Sequence, residues 1–334
     1  MNRKYFFALL TVSFSAAGLY AQNFSVTKAF PIPGEGRWDY LAVSPVKDYL
    51  YVAHGTQVDV VNKTNGSPVT IIANTPGVHG IAFAPAFGNG YISNGRANTV
   101  TIFDINTNEV KGQIAVGENP DAIMFDPFSK MVIVCNGHSE GLSIIDPATN
   151  KVVKTIALGG KPETAVSDEA GKLFVNIEDK NEIVALETKG FTIKERWHVG
   201  KGEDPAGLAI DVKTHRLFAG CGNKILAILN AANGKVIKEM PIGDGCDGVA
   251  FDAALKNIYA SNGDGTLTII KENAANDFAL VSNLQTKKGA RTIAIDPATH
   301  WIYLPTAAFG QQEAGKRPGT IPGTFEVLVV EPGH

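Results

Sequence analysis

Little in this sequence commits it to cross-linking, to a polyanionic partner or to a membrane. Three cysteines stand among 334 residues, enough for one intramolecular bridge and an odd thiol. No Cys-x-x-Cys-His occurs, which excludes covalent c-type haem attachment. Positive charge is in short supply: 30 Lys and Arg face 33 Asp and Glu, for a net charge of −3. A nucleic-acid partner is disfavoured on that ground, because such proteins present a net basic footprint. The clearest local basic clusters are only Lys287-Lys288 and Lys316-Arg317. Past the N-terminal segment no apolar run approaches the roughly 20 residues that a membrane-spanning helix needs.

The N-terminal segment reads as an export signal. Asn2-Arg3-Lys4 is a short basic start, and Tyr5 to Gly18 is a mostly apolar run broken by Thr11, Ser13 and Ser15. Leu19-Tyr20-Ala21 then ends on a small residue, the layout of a cleaved signal peptide. Residues 1–21 are therefore expected to be removed, and residues 22–334 to form a periplasmic or secreted protein. The first cysteine is Cys135, so no bacterial lipid anchor on a new N-terminal cysteine is available. Loss of Arg3 and Lys4 leaves a mature net charge near −5, which favours solubility.

What is present in quantity is repetition. Short apolar strands with a mostly small centre recur along the chain, as in Tyr40-Leu41-Ala42-Val43, Gly80-Ile81-Ala82-Phe83 and Gly248-Val249-Ala250-Phe251. Their central residues are Ala42, Ala82, Met124, Val166, Ala209, Ala250 and Ala294, spaced by 40, 42, 42, 43, 41 and 44 residues. Each is followed by a second strand such as Leu50-Tyr51-Val52 or Ile258-Tyr259-Ala260, and by a third rich in β-branched residues. Turns such as Thr64-Asn65-Gly66 and Ala232-Asn233-Gly234 supply the positive φ values that tight hairpins need. The period and strand density predict a seven-bladed β-propeller of four-stranded antiparallel blades. The seventh repeat ends soon after its third strand, Phe325 to Val330, and lacks an outer strand. Phe24 to Ile32 resembles the other outer strands and is expected to close the ring, removing open edges. Such a closed propeller is expected to be monomeric.

The tetrads Tyr91-Ile92-Ser93-Asn94 and Tyr259-Ala260-Ser261-Asn262 resemble the signature of the YVTN-repeat family of seven-bladed β-propellers. Asn119-Pro120-Asp121-Ala122 and Asp204-Pro205-Ala206-Gly207 are similar to that family's Pro-containing opening of the innermost strand. Phe174-Val175-Asn176-Ile177 and Phe218-Ala219-Gly220-Cys221 keep only the aromatic start. The resemblance spans the mature chain but its motifs are structural, so it implies a fold and no catalytic role. Seven-bladed relatives in the wider superfamily include lactonases, a lyase that opens cyclic antibiotics and many binding proteins.

In a propeller the loops of one face surround the channel mouth. The position just before each innermost strand holds Asp39, His79, Asp121, Glu163, Ala206, Asp247 and Arg291. The position ending the second strand holds His54, Asn94, Asn136, Ile177, Cys221, Asn262 and Thr306, with Arg96, His138, Glu178 and Asp264 nearby. The polar members form the candidate ligand-binding set: Asp39, His79, Asp121, Glu163, Asp247, Arg291, His54, Asn94, Asn136 and Asn262. Converging carboxylates and an imidazole can hold a divalent metal such as calcium, bind a cationic or polyhydroxylated ligand, or serve as acid and base. Solvated strand ends would show the same residues. Cys221 and Cys246 stand on adjacent blades, and an oxidising compartment permits a bridge if their Cα atoms lie within about 7 Å. The insertion Ala307 to Gly323 is long for a compact repeat and can overhang the mouth. The expectation is recognition of a small molecule or extracellular partner on this face. A lactonase-like hydrolase or lyase at the same mouth is the alternative.

Overall fold

A computed structural model of the chain describes residues 23–311 and 319–333. The export signal read over residues 1–21 and the middle of the 307–323 insertion lie outside the described residues.

The strands assort into seven four-stranded sheets. In the first blade the order from the channel outward is Trp38–Val43, Tyr49–His54, Gln57–Asn62 and Pro68–Ile72, all antiparallel. The next five blades repeat it from innermost strands Val78–Ala84, Pro120–Asp126, Pro162–Ser167, Pro205–Asp211 and Cys246–Asp252. The seventh is built differently. Ala294–Ile295, Ile302–Thr306 and Glu326–Pro332 come from the C-terminal end of the chain, and Phe24–Pro31 supplies the outer strand. That N-terminal strand runs antiparallel to Glu326–Pro332 from Phe24↔Pro332 to Pro31↔Glu326, and it closes the ring.

Burial follows the position of each strand in its blade. Second and third strands are covered on both faces by neighbouring blades, so Tyr49–His54 and Asn89–Asn94 are buried nearly throughout. Outer strands meet water, and Lys151–Ala157 buries only Ile156. The core is a set of apolar layers between blades. Tyr51, Val58 and Val60 of the first blade pack on Ile81, Ile92 and Phe103 of the second. Each such side chain withdrawn from water contributes about 1.5–3 kcal/mol. Innermost strands converge on the channel, and at single positions a neighbouring strand comes too close for any side chain. A Cβ at Gly207 would lie 2.5 Å from the backbone nitrogen of Val249 in the next blade.

Three of the buried second-strand tyrosines bond between blades. Tyr51 donates to Asn108 Oδ1 at 2.6 Å, Tyr91 to Asn150 Oδ1 at 2.8 Å, and Tyr303 to the Lys63 carbonyl at 2.9 Å. A Phe at this position, as in Phe174 and Phe218, keeps the packing and gives up that bond.

Candidate ligand site at the channel mouth

Two local devices aim side chains into the mouth. In six blades the pairing of first and second strands skips where the mouth residue sits. The breaks fall between Trp38 and Leu41, Val78 and Ile81, Pro120 and Ile123, Pro162 and Ala165, Pro205 and Gly207, and Cys246 and Gly248. Such an irregularity re-aims a side chain out of the sheet's alternation. The second device is a side chain from the neighbouring blade that grips the mouth residue's carbonyl. Ser93 donates to Asp121 O at 2.5 Å, Ser261 to Arg291 O at 2.5 Å, Asn176 to Ala206 O at 3.1 Å, and Thr292 to Asp39 O at 2.7 Å. The polar letters of the repeat thus fix the backbone of the site without entering it.

Asp39, His79, Asp121, Glu163, Asp247 and Arg291 surround the mouth. His79 Nδ1 lies 2.5 Å from Asp39 Oδ2 and 3.6 Å from Asp121 Oδ1. Asp121 is 8% exposed, and its Oδ1 is buried without a hydrogen-bond partner among the described residues. Glu163 pairs with Lys161 at 3.1 Å, and Lys161 also pairs with Glu178. Arg291 Nε meets Asp247 Oδ2 at 3.0 Å. Beneath this ring the channel narrows to a cavity of about 210 Å³ lined by Tyr40, Leu41, Ile123, Met124, Leu208 and Val249.

Burial and mutual repulsion set the protonation of the ring. Asp121 is pushed well above the ordinary carboxylate range by burial and by the Asp39 charge, only partly offset by His79. Glu163 is raised by burial and by Asp121. Burial raises Asp247 to about 6, against the pull of Arg291. Burial works to lower His79, but the Asp39 hydrogen bond and the Asp121 and Asp39 charges outweigh it and raise the imidazole to about 8. Burial pushes the Tyr40 phenol up, reinforced by Glu163, Asp121, Asp39 and Asp247. The mouth therefore offers a cationic imidazole beside Asp121 and Glu163, carboxyl groups that hold protons near neutrality, while Asp247 is ionised against Arg291.

Above the ring opens a cleft of about 800 Å³ between Gly34 to Asp39 and the returning arm of the insertion, Gly319 to Gly323. Arg37, Arg96, Asn119 and Arg291 line it above Asp39 and His79. Arg37 and Arg96 make no ion pair among the described residues, whereas Arg291 is engaged by Asp247.

The second-strand ends turn elsewhere. Asn94 donates to Thr99 and Thr101, Asn136 to Ser143, and Asn262 to Thr266 and Thr268, all within their own blades. His54 is 1% exposed, bonds Asp59 at 2.8 Å and packs at a tilt against Phe325 beneath Gly34 and Gly36. These four brace hairpins and do not face the mouth. Lys161, Tyr40 and Arg37, which the repeat alignment passes over, do belong to it. Lys161 and Arg37 sit in loops outside the period, and Tyr40 reads as an ordinary strand aromatic.

The cysteine bridge is not formed. Cys135, Cys221 and Cys246 are free and buried. Cys221 packs in the layer between the fourth and fifth blades, and Cys246 in the layer between the fifth and sixth. The second strand of the fifth blade separates them. Each thiol donates to a carbonyl of its own blade, Ala219 O and Gly248 O, both at 3.6 Å.

A family model described as YNCE-like beta-propeller matches residues 65–239. No curated protein matches the chain. Among solved structures, the chain is similar to Kuenenia stuttgartiensis hydrazine synthase, with a TM-score of 0.72 and 15% identity over 82% of this chain and 94% of that one. It is also similar to the WD40 repeats of RRP9, with a TM-score of 0.77 and 9% identity over 91% of this chain and 97% of that one. U3-55K gives a TM-score of 0.76 at 9% identity, over 90% and 97% of the two chains. At these identities the likeness is one of fold.

Proposed function

The chain belongs to the YNCE-like β-propeller family, and on that scaffold we propose that the channel mouth recognises a small polar ligand carrying an anionic group. Arg37 and Arg96 hold the anionic group, and His79 with the protonated carboxyls beneath it supplies hydrogen-bond donors to the rest. One observation carries the reading. Two guanidinium groups line a cleft of about 800 Å³ with no ion-pair partner among the described residues, while the third, Arg291, is already neutralised by Asp247. A cleft of that size suits a small molecule. The export signal read at residues 1–21 supports a periplasmic or secreted setting in which such ligands arrive from outside.

The test is a calorimetric and thermal-shift screen of small carboxylates and phosphate esters against the protein and an Arg37→Gln/Arg96→Gln double variant. The reading expects at least one probe to bind and the double variant to lose at least about tenfold in affinity, as removal of charge-assisted bonds does. A probe held equally by both proteins would move the site elsewhere.

The His79–Asp39 pair beside a proton-holding Asp121 also suits acid–base chemistry, the basis of a hydrolase or lyase reading. Turnover of a lactone panel that His79→Gln abolishes would favour that reading over simple binding.

A further inference from the structure

We propose that Asp39, His79 and Asp121 form a site for one divalent transition-metal ion of the zinc or manganese kind. The site lies on the floor of the same cleft but uses none of the guanidinium groups on which the anion reading rests.

One donor atom from each of the three residues lies within 4.8 Å of the other two. Donors held about 2.0–2.2 Å from a common ion stand roughly 3–4 Å apart, so the cluster needs only small rotations to close on one. The donors come from three successive blades, and two of their carbonyls are gripped by Thr292 and Ser93. The arrangement is therefore held by the ring and not by a mobile loop. An imidazole with two carboxylates suits zinc or manganese. Calcium prefers six to eight oxygen donors, so its place at the mouth, allowed by the sequence, is not favoured by this set.

A second observation points to a missing partner. Asp121 is 8% exposed, and its Oδ1 is buried with no hydrogen bond. It faces His79 Nδ1 at 3.6 Å, beyond hydrogen-bond range. A plain His79–Asp39 ion pair accounts for Asp39 Oδ2 and leaves this atom unexplained. Of the other cations at the ring, Lys161 is paired with Glu163 and Glu178, and Arg291 with Asp247. A metal ion at the centre satisfies Asp121 Oδ1, takes the position of the proton between His79 and Asp39, and leaves coordination positions open toward the cleft.

The experiment titrates the untagged, chelator-treated protein with zinc chloride by calorimetry and with cobalt chloride by visible absorption, with no organic ligand present. One ion per chain is expected. Asp121→Asn, which keeps the side-chain shape, and His79→Ala should each weaken zinc binding at least about tenfold, with circular dichroism confirming that both remain folded. His300→Gln, at the far end of the blades, should leave binding unchanged. Absence of stoichiometric binding to the parent protein overturns the proposal, and so does unchanged affinity in Asp121→Asn. Either result leaves the anion screen on Arg37 and Arg96 standing on its own.

Discussion

At the end of the blades remote from the mouth, several ionisable groups find partners across the blade boundary. Lys63 reaches Asp296 at 2.9 Å, His300 reaches Asp252 at 2.7 Å, and Ser167 donates to Asp126 at 2.6 Å. The carboxylates there also accept backbone N–H groups, as Asp252 does from Ala254 and Leu255. At the mouth the same residue types converge from several blades and stay under-partnered. Asp121, Glu163 and Asp247 crowd together, burial raises all three above the ordinary carboxylate range, and Asp121 Oδ1 bonds nothing. The chemistry is shared, but one end uses it to tie blades together and the other leaves it facing a cleft. The remote end is not fully satisfied either, since Glu272 Oε2 is buried there without a hydrogen bond, but among the described residues no set of carboxyl groups from successive blades converges around it.

The largest effect should come from breaking a remote tie. Lys63→Met leaves Asp296, 2% exposed, without its cation, and should destabilise by about 3 kcal/mol. Urea unfolding measures it, and a loss well under 1 kcal/mol would reduce the remote pairs to decoration.

The mouth should respond in the opposite direction. Asp247 is raised from 3.8 to about 6 in the folded protein, so the native state binds its proton more tightly than the unfolded chain does. That contribution is full below pH 3.8 and is lost as pH rises through about 6. Asp247→Asn should therefore stabilise the protein at pH 7 by about 2 kcal/mol and do little near pH 4. Destabilisation at pH 7 would make the Arg291 pair structural, like the ties at the far end.

A smaller effect follows for His79, raised from 6.5 to about 8. Its stabilising contribution is present below pH 6.5 and is lost as pH rises through about 8. The parent protein should lose about 1 kcal/mol across that window, and His79→Gln should flatten the profile. An unchanged profile in the variant would assign the dependence to other groups. Smallest of all is the effect of reductant, since the cysteines are free. Tm should not move on adding dithiothreitol, and three thiols should titrate after unfolding. A drop in Tm would mean a bridge after all.

The fold was legible because a blade is an independent repeat with its own apolar rhythm, and a period near forty residues survives changes in any one tetrad. Ring closure was legible for the same reason: a missing outer strand at one end matched a spare one at the other. The mouth was legible only in part. Aligning repeats finds equivalent backbone positions, and it located Asp39, His79, Asp121, Glu163, Asp247 and Arg291. It could not tell which equivalent side chains turn inward. Pairs such as Val78↔Asn94 stay in register, so Asn94 keeps the sheet's alternation and bonds to its own hairpin, while the break that follows sends His79 into the mouth. The cysteines failed similarly, because adjacent blades place residues near each other without placing them on one side of a strand.

The central claim, that carboxylates from different blades converge on a mouth left open for a partner, is tested most directly at one imidazole. With histidine labelled selectively, pH titration by NMR should resolve signals from the seven histidines. His79 should titrate at about 8 in the metal-free protein, and Asp121→Asn should bring it down by removing a facing carboxylate. A His79 that titrates near the ordinary 6.5, and does not respond to Asp121→Asn, would contradict the convergence.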